Sequence, residues 1–451
     1  MRNRFGWLLF ILALPASATP LQKLGVELRF HREVLPNGLT VILAPAPQVP
    51  VISYQTWYRV GSVDEKIGKT GLAHLFEHLM FKGTEKFGPK EFFNRLESQG
   101  AEVNAYTTQD YTVYYQNFTP NLLDRVIEME ADRMVGLKLD QDLLTTERQV
   151  VLEERRLRVD NSPAGKLHEA MWGLSFREHP YRAPVIGYPQ DLLKLTLEDL
   201  KSFYRDFYHP ANATIVVAGA FDQTQTLEKI RARYGQIPQR VRPERKVSSE
   251  PAQDAERRIS VFDQVSTEQF AWSYVIPRAG EPDAYALDVL STILFQGTSS
   301  RAHRRMVEDK SLLIGISGTA YTPAFPGLFM ISGTLRKGVE LTKAEKELAM
   351  LLEEVQKTPP SAEEVERAVR QLTVSAVDHL RTPQGVAQLL GAVQTVLGDV
   401  SRSTEDLEKY RGITPSDLQR VAKKYLLSHQ RSVVLLLPGQ GGSLDEGGAQ
   451  P

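Results

Sequence analysis

The sequence predicts an α+β protein of two similar domains, each an antiparallel-rich sheet with helices packed on one face. Three observations predict it. β-branched and aromatic runs bounded by turn residues alternate with stretches of helical period. Two short echoes recur at near-equal offsets: LMFKGT at 79–84 with ILFQGT at 293–298, 214 residues apart, and TLEDL at 196–200 with TPSDL at 414–418, 218 apart. A repeat of that length marks a duplicated domain, not a solenoid. Between the halves, 236–258 (QIPQRVRPERKVSSEPAQDAERR) is polar, with three prolines and almost no apolar anchor, so it reads as a linker. At 451 residues the chain is too long for one ordinary core. The expected organisation is a first domain over 26–235, a linker over 236–258 and a homologous domain over 259–437.

The elements follow in order. Arg2 and Arg4, the short apolar core at 7–14 and Ala16-Ser17-Ala18 read as a secretory signal cleaved near Ala18. That core is too short to span a bilayer, and no other stretch approaches transmembrane length. The expected destination is a bacterial periplasm. Residues 34–43 read as two strands turning at Asn37-Gly38. Residues 51–60 read as a strand, 71–81 and 89–98 as helices, and 101–118 as one or two strands. Helices are expected over 121–135 and 141–159, and a buried strand over 213–218. After Pro438 the glycine-rich tail to residue 451 is expected to be disordered.

Composition narrows the function. Hydrophobic content of 42% and charged content of 24% describe a globular chain. A net charge of −1, from 54 basic and 55 acidic residues, argues against nucleic acid or an anionic membrane as partner. With 0 cysteines there is no disulfide framework and no thiol chemistry.

The chemistry begins at TGLAHLFEHLMFKGT, 70–84. The segment lacks proline and is rich in Leu, Phe and Met, and Thr70 is placed to cap it. Leu72, Leu75, Phe76 and Leu79 make a broad apolar face. His74, Glu77 and His78 stand at i, i+3 and i+4, so they point into one region. Polar groups buried together need partners or cost several kcal/mol. Two imidazoles four apart on a helix can both reach Zn²⁺ at about 2.0–2.1 Å. At the repeat offset these three positions hold Asp288, Ser291 and Thr292. If the halves share a fold, the triplet is therefore dispensable for folding and belongs to function.

A catalytic zinc usually takes three protein ligands and keeps one position open. The richest source of a third is TERQVVLEER, 146–155. Glu147 and Glu154 lie two turns apart on one face, and Glu153 is rotated by about 100°. Spacing leaves Glu147, Glu153 and Glu154 all open.

H-L-F-E-H followed by E-R-x-V-V-L-E-E resembles the inverzincin metallopeptidases, the group of pitrilysin, insulin-degrading enzyme and mitochondrial processing peptidase. The resemblance runs from about residue 26 to 437 and is most specific in 61–115 and 147–154. It implies one Zn²⁺ held by His74, His78 and Glu154, with Glu77 as general base and Glu147 supporting a ligand histidine. It also implies that the edge strand at Asn104, Ala105 and Tyr106 binds substrate main chain. The implied activity is hydrolysis of peptides or unfolded polypeptide segments. Two such chains would close like a clamshell around a chamber that excludes folded proteins. The family also holds non-catalytic subunits with damaged metal motifs, whereas this motif is intact.

One departure stands out. In the family it resembles, active members carry an Arg and, seven residues on, a Tyr that grip substrate near the zinc, both following a G-x-x-S-R element. The element is present at 297–301, but the expected positions hold Val307 and Ile314. Arg304, Arg305 and Tyr321 lie nearby without fitting the spacing. The expectation is a metal-bearing subunit whose homologous partner supplies the Arg–Tyr pair.

Overall fold

β-branched and aromatic runs form both sheets of the structure, a computed structural model in which residues 28–439 are described. The expected signal at 1–18 and nearly all of the expected tail lie outside the described residues. The first sheet contains β1 (His31–Val34), β2 (Thr40–Pro45), β3 (Ile52–Tyr58), β4 (Glu102–Thr107), β5 (Thr112–Phe118) and β6 (Ala213–Gly219). Their spatial order is β1-β2-β6-β3-β5-β4. Only β2 and β6 pair in parallel; the other neighbours are antiparallel. The second sheet contains β7 (Arg257–Asp263), β8 (Gln269–Ile276), β9 (Leu313–Tyr321), β10 (Gly327–Leu335) and β11 (Ser432–Pro438). Its order is β7-β11-β8-β10-β9, again with one parallel pair, β7 with β11. Without β1, the two orders are the same when strands are counted along the chain. The last strand of each half is inserted second, and an edge strand from its hairpin ends each sheet.

Local chemistry explains the boundaries. The 34–43 hairpin turns where expected: Gly38 has φ +90°, and a Cβ there would sit 2.8 Å from that of Ala211. Asn37 does more than turn the chain. Its amide donates to the carbonyls of Tyr234 and Ile237 at 2.8 and 3.0 Å. The first half carries α1 (Leu72–Leu79), α2 (Glu91–Glu97), α3 (Leu123–Gly136), α4 (Gln141–Arg155) and α5 (Pro163–Ser175). The helix expected over 141–159 ends at Arg155 and runs on as a π-helical turn, Arg156–Asp160. In the second half, α6 (Pro282–Phe295) follows β8, and α7 (Pro383–Leu397) comes later. Both members of the TLEDL/TPSDL echo form the same capping box, Thr196 with Asp199 and Thr414 with Asp417.

Each sheet buries one face against its own helices, giving one large apolar cluster per half. The opposite faces are covered reciprocally. Helix α5 of the first half packs Leu167, Met171 and Trp172 against Ala271, Leu328, Val434 and Leu436 of the second sheet. Helix α7 of the second half packs Ala387 and Leu390 against Ile42, Trp57, Val113 and Val216 of the first.

The 236–256 stretch contains no helix or strand and is anchored by charge. Arg245 donates twice to the Asp64 carboxylate, at 2.8 Å each, and this pair is buried. The Glu250 carboxylate accepts the backbone N–H groups of Arg177, Glu178 and His179.

Candidate metal centre

Helix α1 starts at Gly71, which takes a left-handed φ of +90°. A side chain there would meet the Ile186 carbonyl and a Leu192 methyl at 2.8 Å. Thr70, expected as the cap, does not serve as one. Its hydroxyl donates to Asp191 at 2.7 Å and accepts the Tyr188 N–H at 2.9 Å. The open amides of the first turn go instead to Glu65, whose two carboxyl oxygens accept from Gly71 and Ala73 at 2.9 and 2.8 Å.

Leu72, Leu75, Phe76 and Leu79 bury the apolar face of α1 in the main core. His74, Glu77 and His78 lie on the opposite side, facing α4 and β4. The imidazole centroids of His74 and His78 are 4.9 Å apart. Glu154 of α4 places Oε2 at 3.5 Å from His74 Nε2 and 3.2 Å from His78 Nε2. Ligand atoms of these three residues all lie within 4.8 Å of one another. No other such group of metal-binding side chains occurs among the described residues.

The structure separates the three glutamates that spacing left open. Glu153 points to solvent and pairs with Arg156. Glu147 is buried; one oxygen accepts Lys82 Nζ at 2.9 Å and the other faces His78 Nδ1 across 3.9 Å, longer than a hydrogen bond. Only Glu154 reaches both imidazoles. Arg158, one turn further on, holds its other oxygen at 2.8 Å.

Electrostatics fit a cation. Burial, then the neighbouring His78, pushes the His74 imidazole down to about 4, so the ring is neutral as a ligand must be. The adjoining His78 ring, reinforced by His74 and Arg158, holds the Glu154 carboxyl below its usual range. His78 Nε2 stands 3.2 Å from Glu154 Oε2 without a hydrogen bond formed between them. Glu154 Oε2 is therefore buried without a donor, an orphan that a metal ion would satisfy. Glu77 is enclosed, and burial raises its pKa against the pull of a 2.6 Å hydrogen bond from the Thr107 hydroxyl.

Strand β4 is the free edge of the first sheet beside this cluster. Ala105 packs towards the main core, and exposed Asn104 turns its side-chain oxygen onto the Ala105 N–H at 2.8 Å. The Tyr106 ring points to the other face, edge-on to Trp57 and Tyr111. Its side chain is thus turned away from the imidazoles, leaving only its main chain at the edge.

In the second half, Ser291 and Thr292 return their hydroxyls to the Asp288 carbonyl, and the Asp288 carboxyl accepts the Tyr410 hydroxyl. Val307 packs against the second core and Ile314 is 60% exposed. Arg305 is tied to Glu347 and Glu354, and Tyr321 to Gln109. Three residues around the site were not singled out in the sequence: Lys82, Thr107 and Arg158. Arg158 had a readable signal, its i+4 spacing from Glu154; the other two are fixed by tertiary contacts.

Comparison with known proteins places this geometry. Residues 40–187 match the family model described as insulinase (peptidase family M16), and 194–372 match the peptidase M16 inactive domain. A zinc protease of Helicobacter pylori, PqqE, is 32% identical over 415 residues, covering 90% of this chain and 93% of the relative. The crystal structure of a protease from Helicobacter pylori superposes with a TM-score of 0.87 at 30% identity, covering 91% of this chain and all of that one. The fold also matches the periplasmic protease PqqL of Escherichia coli, with a TM-score of 0.75 at 19% identity. That match covers 91% of this chain and 48% of the other.

Proposed function

The chain belongs to peptidase family M16, the insulinase family, and on that premise we propose that it is a zinc-dependent endopeptidase acting on peptides or unfolded segments. The observation that carries the reading is the convergence of His74, His78 and the donorless Glu154 Oε2 beside Glu77 and an open strand edge. The donor set suits zinc: two neutral imidazoles and one carboxylate, with three protein ligands rather than four. Its relatives are named zinc proteases.

Zinc, when bound, supplies Lewis acidity that polarises an amide carbonyl and makes water acidic near neutral pH. His74, His78 and Glu154 would hold it. Glu77 would take the proton of the attacking water and return it to the departing amine. Glu147, braced by Lys82, would orient His78. Asn104, Ala105 and the main chain of Tyr106 would pair a substrate as an added strand, which reads backbone more than side chains. Asn104 would first have to release the Ala105 amide.

Export to a periplasm is part of the proposal and rests on the signal-like pattern of the sequence at 1–18. A homologous partner is also part of it. Support comes from Val307 and Ile314 at the positions where an Arg–Tyr pair is expected, and from Arg305 and Tyr321 being engaged within the chain. The chain spans 48% of the Escherichia coli structure, which leaves room there for two copies of the fold.

The competing reading is a non-catalytic subunit, favoured by the match of 194–372 to the inactive domain. Internally quenched peptides, offered to the zinc-loaded chain with and without a homologue lacking H-x-x-E-H, separate the two. Peptidase activity abolished by Glu77→Gln without loss of zinc is expected. Zinc binding with no cleavage under either condition would leave the subunit reading. Full activity of the chain alone would remove the partner.

A further inference from the structure

We propose that Thr107 is the positioning residue for Glu77, coupling the base to the substrate-side strand and, through the following turn, to the second half of the chain. The kinetic side rests on the peptidase reading; the structural side rests on the contacts alone.

Thr107 is the last residue of β4, paired across the hairpin with Thr112. Its hydroxyl donates to Glu77 Oε2 at 2.6 Å, across 30 residues of sequence. A hydroxyl has one proton, so this bond commits it. Glu77 Oε2 is thereby fixed, and the other oxygen is left without that bond. A glutamate has three side-chain torsions, and one fixed oxygen removes most of that freedom. The same residue is main chain of the edge strand on which a substrate would lie. Strand pairing and base orientation therefore share one anchor.

The anchor is itself held from beyond the hairpin. The Thr108 hydroxyl accepts the N–H groups of Asp110 and Tyr111 at 3.1 Å, closing the turn that follows. The Ser62 and Val63 amides donate to the carbonyls of Thr108 and Gln109. Gly61 lies so close that a Cβ would stand 2.4 Å from the Gln109 oxygen. From the second half, the Ala324 N–H donates to Asp110 at 2.8 Å and the Tyr321 hydroxyl donates to Gln109 at 3.0 Å. The Asp110 carboxylate also accepts the Tyr181 hydroxyl at 2.6 Å, and Arg245 reaches the Asp110 carbonyl from the interdomain stretch. Four chain segments thus fix the turn that begins one residue after Thr107. These contacts hold the main chain from which the Thr107 hydroxyl reaches Glu77.

Thr107→Val tests this. Valine keeps the β-branched shape that suits a strand and deletes only the hydroxyl; Thr107→Ser keeps the hydroxyl and loses a methyl. Thr107→Val should lower kcat by about 10–100-fold with KM within about twofold, the pattern for a misplaced group rather than lost binding. Zinc content and melting temperature should match the wild type, and Thr107→Ser should restore kcat to within about threefold. A crystal structure of the valine variant should show Glu77 in a changed rotamer. An unchanged kcat, or Glu77 unmoved in that crystal structure, overturns the proposal. If the wild type cleaves no peptide, the peptidase reading fails, and the Glu77 rotamer in the valine variant still decides whether Thr107 positions it.

Discussion

Glu154 and Glu147 show how two carboxylates on one helix face take different work. Arg158 occupies one oxygen of Glu154 and leaves the other facing two imidazoles; Lys82 occupies one oxygen of Glu147 and leaves the other behind His78. With Glu154 as the proposed ligand and Glu147 as the proposed support of His78, removing the two should differ in degree. Glu147→Gln is expected to weaken zinc binding by about 10–100-fold, the usual scale for outer-shell carboxylates. Glu154→Gln should weaken it further, and Glu77→Gln should leave it unchanged. Competition against a chromophoric chelator measures all three, and equal losses for the Glu147 and Glu77 variants would reassign both. At this scale the sequence was partly legible. H-x-x-E-H declares itself because helical period alone puts three side chains together. Glu153 and Glu154 are neighbours, however, and only the packing of α4 decides which one turns inward. Thr107 could not be read as a partner of Glu77, because the contact joins a helix to a strand edge 30 residues away.

At the scale of the element, α1 is held at its start by Glu65 rather than by Thr70. A threonine beside a helix is a good sequence cue for a cap, but a left-handed Gly71 breaks the geometry a Thr70 cap needs. Glu65 is part-exposed as a residue, yet its carboxyl is enclosed, and burial pushes its pKa from an ordinary 4.5 up to about 8. The folded chain therefore keeps a proton that the unfolded chain releases across this window. Stability from this group should fall as pH rises from about 4.5 to 8. Glu65→Gln keeps an acceptor and cannot ionise, so it should flatten that part of the urea-unfolding profile between pH 5 and 8. Parallel profiles would show that Glu65 does not titrate there. Glu65→Ala strips the acceptor from two first-turn amides and should cost about 1–2 kcal/mol at pH 6. Helix α7 offers a second case. A Cβ on Gly391 would stand 2.1 Å from the buried Trp57 ring of β3, so the helix lies on the sheet only because that position is bare. Gly391→Ala should destabilise by about 1–3 kcal/mol through overpacking, despite alanine being the better helix former. A melting temperature at or above wild type would mean that α7 can lift without cost.

At the scale of the molecule, two sheets of the same strand order are joined by an exchange of helices: α5 covers the second sheet and α7 covers the first. The duplication was readable in two short echoes, because a helix end and a capping box keep their residues. The exchange was not, because an amphipathic helix shows that one face is buried without naming the sheet that buries it. The 236–256 stretch then acquires a different meaning. It need not hold the halves together, since the apolar faces under α5 and α7 already do. Val241 is 92% exposed, whereas Arg245 and Glu250 are clamped onto the first half. A protease site placed at Val241 should be cut readily. The nicked protein should still elute as one particle of the original size, with its zinc affinity intact, because both helix-on-sheet contacts lie away from the cut. Residues 28–240 expressed alone should behave differently. With α7 absent, Ile42, Trp57, Val113 and Val216 would face water together, a contiguous apolar surface of the kind that binds hydrophobic dyes and aggregates. Adding residues 242–439 should suppress both. Separation of the nicked halves on gel filtration would show that the covalent connection, and not the exchanged helices, keeps the second half seated on the turn that anchors Thr107.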